Sequence, residues 1–244
     1  MIKRSQVTIT DIAKHVGMTN MTVSRALKQP EKVRPETREK ILAAANELGY
    51  VPNAFASHLR SRKNRLIGLV TASVDNPFYS EVIKAISRAA KEHDYTIMLI
   101  DTDGSPELEE VAIDTLLSYQ VAGIILSPVS DDASYRPNYL ERLRKANLPV
   151  VMLDRTLDVT DFSRVVLDNR LAGRLLGELL VNKNIERVLT LTGPSGSQIT
   201  RHRLAGLKEA YEERGVPLSL EQCPGDYTLQ PAYRDMAAHL RRGK

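Results

Sequence analysis

The chain has 244 residues, with 34 Lys and Arg against 30 Asp and Glu and one cysteine, Cys223. A single thiol excludes a disulfide scaffold and reads as inert, and no apolar stretch is long enough to span a bilayer. Charge is unevenly placed: through Leu66 there are 13 Lys and Arg against 5 Asp and Glu, net +8, while the remainder carries 21 against 25, net −4. A basic segment joined to a mildly acidic body is a nucleic-acid footprint, because phosphate binding gains from counterion release. The basic start is followed by TITDIA, not by an apolar signal-peptide core, so a cytoplasmic protein is expected.

Two short helices come first. Thr10 is the expected cap of the first, with Asp11 in its first turn and Ile12, Ala13 and Val16 on one side. Gly17 stops it by taking a left-handed conformation that side chains resist. The second is expected to start at Thr19 and to bury Val23 and Leu27, leaving Asn20, Thr22, Ser24, Arg25 and Lys28 on a polar face. That layout is a DNA-binding helix-turn-helix; the alternative, a plain hairpin with a solvated face, does not account for the charge. Asn20, Met21 and Arg25 are the candidate base readers, and Thr8, Thr19, Thr22 and Ser24 the candidate phosphate contacts. A third helix is expected from Pro35 to Leu48, with Ile41, Leu42, Ala45 and Leu48 as its core stripe and Gly49 as its stop. Ala54 to Arg60, with Asn53 as a possible cap, is too short to be a stable helix alone. Leu59, three residues after Ala56, has no nearby core to enter, so it suits a wedge between base steps in a minor groove, flanked by Arg60.

The run from Thr8 through Arg60, with TVSR, REKI, LGY and PNAFASHLR, resembles the LacI/GalR family of bacterial transcription regulators. The resemblance places Asn20, Met21 and Arg25 at base-reading positions, and Ala56, Leu59 and Arg60 in a hinge helix that enters the minor groove. Two residues depart from the common pattern. Met21 is apolar, which implies contact with a thymine methyl in place of a bidentate hydrogen bond. Arg34 stands where a capping Ser or Thr is frequent.

From Leu66 onward short apolar runs alternate with amphipathic helices. Strands are expected at LIGLVT from Leu66, TIMLID from Thr96, GIILS from Gly123, VVMLD from Val150, RVVLD from Arg164 and RVLTLTG from Arg187. Helices fill the gaps at Phe78–His93, Glu107–Tyr119, Tyr139–Ala146, Asn169–Val181, Thr200–Arg214 and Pro231–Leu240. Single helices between apolar runs argue for parallel βαβ units. The expected fold is therefore an all-α helix-turn-helix headpiece (1–52) and a hinge (53–65), followed by an α/β core of doubly wound parallel sheets. The resemblance makes that core similar to periplasmic binding proteins, in two subdomains (66–163 and 164–244) with a cleft between them.

Ligands of such sheets bind beyond the strand carboxyl ends, which draws attention to Asp75, Asn76, Phe78, Asp101, Asp103, Asp154, Arg155, Asp168 and Asn169. Helix capping is the competing account of Asn76 and Asp168. Arg203 is expected in the first turn of its helix, where a cation opposes the dipole unless a polar ligand offsets it. The resemblance assigns Arg203 to effector contact, and Phe78 with Asp154 or Arg155 to the cleft wall. Asn76, Phe78, Asp154, Arg155 and Arg203 thus form the candidate effector site, suited to a small sugar or sugar acid.

After Arg187 only two βα units are expected, fewer than in average sheets of about five or six strands, so the second subdomain reads as incomplete and the chain as a fragment or truncated product. There is no GxGxxG, P-loop or HExxH motif, and His15, His58, His93, His202 and His239 lack metal-ligand spacing. His93 and His239 read as surface residues, and neither a cofactor nor a metal is expected. The reading is a repressor that binds a pseudo-palindromic double-stranded DNA operator as a homodimer, under control of a small effector and without membrane association. Two alternatives stay open: a cytosolic small-molecule-binding module without DNA binding, and a doubly wound sugar-processing enzyme.

Overall fold

The computed structural model describes residues 7–51 and 64–241. The chain divides into two compact units, Met1–Arg62 and Lys63–Lys244. Ala56, Leu59 and Arg60 lie outside the described residues.

The first unit holds helices α1 (Ile9–Val16), α2 (Asn20–Lys28) and α3 (Pro35–Glu47), with a 3₁₀ turn at Pro30–Lys32. Thr8, not Thr10, caps α1. Asp11 stands three residues after Thr8, so the two close a reciprocal capping box: the Thr8 amide donates to Asp11 Oδ2 at 2.8 Å and the Asp11 amide to Thr8 Oγ1 at 3.4 Å. From a cap at Thr10, Asp11 would be the very next residue, two positions too close to reach back. Gly17 ends α1 at φ +68°, where a Cβ would be strained. Ile12, Ala13, Val23, Ala26, Ile41, Ala44 and Ala45 form the core, with Leu27 and Leu48 packed at its edge. Leu42, expected inside, is 36 % exposed. At about 100° per residue, positions 41, 44, 45 and 48 share one face of α3 and Leu42 falls beside it.

The second unit opens with a five-stranded, all-parallel sheet in the order β2-β1-β3-β4-β5. Its strands are β1 (Leu66–Thr71), β2 (Thr96–Asp101), β3 (Gly123–Leu126), β4 (Val150–Leu153) and β5 (Ser163–Val165). Helices α4 (Pro77–Glu92), α5 (Pro106–Ser118) and α6 (Tyr139–Ala146) connect them. Val70, Ile124, Leu126, Val150 and Met152 pack with Ile113 and Leu116 of α5 and Leu140 and Leu143 of α6 into one core. Neighbouring Leu69, also buried, points to the opposite face, as strand alternation requires.

The strand expected to open the second subdomain belongs to this first sheet. Met152 pairs with Arg164 and Leu153 with Val165, so the division lies beyond β5 and not at 163/164. The rest comprises α7 (Asn169–Asn182), β6 (Arg187–Thr192), α8 (Gln198–Arg214), β7 (Ser219–Pro224) and α9 (Leu229–Arg241), with β6 and β7 paired in parallel. Strand β7 has no apolar run and is mostly exposed, so hydropathy gave no sign of it. Helices α7 and α8 meet backbone to backbone. A Cβ on Gly206 would stand 1.9 Å from the Arg170 carbonyl oxygen, and one on Gly173 1.9 Å from that of Arg203. Those two glycines set the distance at which α8 delivers Arg203. His239 is not a free surface residue: its side chain is 11 % exposed and Nδ1 lies 3.4 Å from Glu221. None of the described helices is long and apolar enough to cross a membrane.

Candidate functional site

In the first unit the exposed face of α2 carries Asn20, Met21, Arg25 and Lys28. Met21 and Arg25, four residues apart, lie one turn from each other on that face, and Met21 is 68 % exposed. Asn20 is steadied by α1, its Nδ2 donating to Thr10 Oγ1 at 3.2 Å. Thr19 caps α2 through the Thr22 amide at 3.2 Å, and the two hydroxyls share a 2.8 Å hydrogen bond. Thr8 is committed to Asp11, while Ser24 is half-buried. A polar helix face with one exposed apolar side chain, beside basic residues, is the surface that groove reading requires.

In the second unit Asn76, Phe78, Asp154, Arg155 and Arg203 line one cavity of about 190 Å³, together with Tyr79, Ile199 and Tyr227. Asn76 both caps α4, accepting from the Phe78 amide at 3.0 Å, and faces the cavity. Capping and lining are thus compatible here. Asp168 only caps, accepting from the Leu171 amide at 2.8 Å. Asp101 accepts from the Val74 and Asp103 amides, and Asp75 and Asp103 stand on the wider cleft.

Asp154 follows β4 with φ +61° and is anchored by its amide to the Val165 carbonyl at 2.9 Å. A left-handed conformation costs a non-glycine residue about 1–2 kcal/mol, and here it accompanies a carboxylate placed on the cavity wall. Burial raises the Asp154 carboxyl above its ordinary range, against the hydrogen bond from Tyr79 and the charges of Arg155 and Arg203. Tyr79 donates to Asp154 Oδ2 at 3.1 Å and shares a 2.7 Å bond with Ser127. Burial pushes the Tyr79 phenol up to about 12, so it stays a neutral hydrogen-bonding group. The Arg155 guanidinium donates to the Val129 carbonyl at 2.7 Å and lies 5.7 Å over the Tyr227 ring. The Tyr227 hydroxyl meets Thr200 Oγ1 at 2.6 Å.

Arg203 is not in the first turn of its helix. Ser197 is the cap and α8 begins at Gln198, which puts Arg203 in the second turn, where the dipole penalty has faded. It is positioned by a hydrogen bond from its Nε to Asn169 Oδ1 at 2.8 Å. The cavity therefore presents an aromatic ring, a carboxylate acceptor and a guanidinium donor, a combination that matches vicinal hydroxyls. Tyr79, Ser127, Asp131 and Tyr227 were missed by sequence reasoning. Tyr79 adjoins Phe78 in NPFY, and Asp131 stands in the SDDAS run after β3, the class of position at which ligands bind. Among the described residues no group of three or more His, Cys, Asp or Glu could hold a metal ion.

Residues 64–243 match the sequence profile of periplasmic binding proteins and the sugar binding domain of the LacI family, and residues 8–53 that of bacterial regulatory proteins of the lacI family. The chain belongs to the LacI family. This LacI-family chain is 32 % identical over 209 residues to the ribose operon repressor of Halalkalibacterium halodurans, covering 86 % of the chain and 61 % of that protein. It is 31 % identical over 221 residues to the HTH-type transcriptional regulator GntR of Escherichia coli, covering 90 % of the chain and 65 % of that protein. It therefore spans less than two thirds of the length of these curated relatives. Among solved structures, the lac repressor dimer bound to operator and the anti-inducer ONPF superposes with a TM-score of 0.79 at 28 % identity, over 98 % of this chain and 71 % of that one.

Proposed function

We propose that this chain is a sequence-specific, cytoplasmic DNA-binding transcriptional repressor. It binds a pseudo-palindromic operator as a homodimer and is controlled by a small sugar or sugar-acid effector. The observation that carries the reading is the presence in one chain of a basic helix-turn-helix and a cavity where Phe78, Asp154 and Arg203 converge. The relatives support it, being a ribose operon repressor and a transcriptional regulator. Asn20, Met21 and Arg25 read bases while Thr19, Thr22 and Ser24 face phosphate, the Thr8 hydroxyl being taken by Asp11; Ala56, Leu59 and Arg60 are assigned to the minor groove. In the effector site Phe78 lies against the sugar face, Asp154 accepts from one hydroxyl, Arg203 donates to the next, and Asn76 and Arg155 complete the wall. An effector that favours one arrangement of the cleft by a few kcal/mol shifts the operator-bound population.

Arg203→Ala is expected to abolish the effector response while leaving effector-free operator affinity unchanged. Operator titration with and without sugar checks this, and a retained response would remove Arg203 from the site. Effector affinity is also expected to fall as pH drops into the acid range, with the fall starting at higher pH than an ordinary aspartate would set. Burial raises the Asp154 carboxyl, so it takes up a proton earlier than a free aspartate and loses acceptor capacity. Calorimetric titration across that range should show the fall in the wild type and a flat profile for Asp154→Asn.

A further inference from the structure

One carboxylate outside the cavity reaches both of its arginines through a single loop. Glu109, in α5, is completely buried. Its Oε2 accepts from the Val129 amide at 2.6 Å, and its Oε1 accepts from the Tyr135 and Tyr139 hydroxyls at 2.8 and 2.7 Å. Burial raises its carboxyl and the three donors lower it. The segment it holds from beneath runs on from β3. On its other side the Val129 carbonyl accepts from Arg155 at 2.7 Å. Two residues later Asp131, 5 % exposed, binds the N-terminus of α8. Its Oδ2 accepts from Ser197 Oγ at 3.0 Å and the Ile199 amide at 2.8 Å, and its carbonyl from Gln198 Nε2 at 2.9 Å. Asp132 and Ser197 add an antiparallel bridge. Helix α8 is the one that carries Arg203.

A buried carboxylate is costly unless fully paired, and a buried amide left without its acceptor costs its whole desolvation energy. Glu109 cannot be withdrawn without releasing Val129, and releasing Val129 frees both the carbonyl that orients Arg155 and the aspartate that docks α8. We infer that Glu109 is a positioning residue for the cleft: it holds the β3–α6 loop in the one conformation that clasps the N-terminus of α8 and aims Arg155. This rests on the effector-site reading for what the cleft is used for, whereas the clasp can be measured with no effector present.

The test is residue-resolved amide hydrogen exchange on the whole chain. Glu109→Ala is expected to speed exchange at least tenfold at Val129 and also at Ile199 and Thr200, in the other half of the unit. Glu109→Gln, which restores volume and an acceptor, should recover protection at all three. Asp131→Ala should loosen Ile199 and Thr200 alone, and Glu109→Ala should add nothing further there in that background, because both act through one clasp. Should Glu109→Ala fail to fold, Glu109→Asp keeps a carboxylate for the tyrosines but falls a methylene short of Val129, and must give the same pattern at smaller amplitude. Wild-type protection at Ile199 and Thr200 in a folded variant whose Val129 amide has loosened would reduce Glu109 to a local staple and overturn the inference. So would independent, multiplicative effects of Glu109→Ala and Asp131→Ala. Loss of sugar binding by the wild type would overturn the effector reading and leave these exchange results standing.

Discussion

Ile12→Ala is expected to unfold the helix-turn-helix and to leave the α/β unit folded. Ile12 is fully buried at the centre of a core drawn from three short helices, against Val23 and Ile41. Truncating a buried isoleucine to alanine costs about 2–5 kcal/mol, through lost burial and the cavity left behind. A single core in a domain of this size rarely supplies more than about 3–5 kcal/mol, so the loss takes most of what there is. The second unit is separate in its packing: its core is built on Ile113, Leu116, Leu126 and Met152 and shares no residue with the first. Calorimetry should therefore lose one transition and keep the other, with DNA affinity gone. Leu42→Ala, on the exposed flank of α3, is expected to move stability by less than about 0.5 kcal/mol, and that contrast separates core loss from any change of helix propensity.

Arg25→Ala is expected to lower discrimination between cognate and scrambled DNA far more than it lowers non-specific binding. Arg25 is exposed on α2 one turn beyond Met21, and in the proposed complex it presents its fork to a base edge. A bidentate contact is worth about 1–3 kcal/mol of discrimination, and a two-fold operator counts it once in each half-site. The expected loss of specificity is thus about thirtyfold for weak contacts and on the order of ten-thousandfold for strong contacts in both. Non-specific affinity should fall only by what one cation per headpiece contributes, with a small change in salt slope. Anisotropy titrations at matched salt measure both quantities. Equal losses on the two duplexes would make Arg25 a phosphate contact.

Features with local causes were legible in the sequence. Gly17 marks the end of α1 because only a left-handed residue closes that turn, and the apolar runs at Leu66, Gly123 and Val150 are largely buried parallel strands, with that at Thr96 a half-exposed strand at the sheet edge. The errors arise where a partner distant in sequence decides. Thr8 outcompetes Thr10 because Asp11 reaches back to it. Strand β5 is polar and three residues long, and only pairing with β4 assigns it to the first sheet. Strand β7 is defined by β6 and not by its own composition.

The candidate effector site divides in the same way. Asn76, Phe78, Asp154 and Arg155 follow strand ends, where the fold class alone directs attention, and all four reach the cavity. Arg203 reaches it too, although the dipole argument that singled it out does not hold in the second turn of α8. Its placement comes from Asn169 and from the glycine contact between α7 and α8. Glu109 gave no sequence signal as a functional residue, and Asp131 only its place after the end of β3. One looks like an ordinary acid in the first turn of a helix and the other like a loop residue, and their importance lies in contacts across 20 and 66 to 68 positions.

On the proposed function, one chain joins sequence-specific DNA binding to an effector cleft. The most direct measurement is anisotropy titration of the protein, at fixed salt, against an operator selected from random duplexes and against its scrambled counterpart, each with and without a panel of small sugars and sugar acids. The expected result is selection of a pseudo-palindromic site, affinity for it at least about a thousandfold above the scrambled duplex, and a shift in that affinity with one member of the panel. Equal, purely salt-governed affinity for both duplexes, unmoved by every sugar, would contradict it.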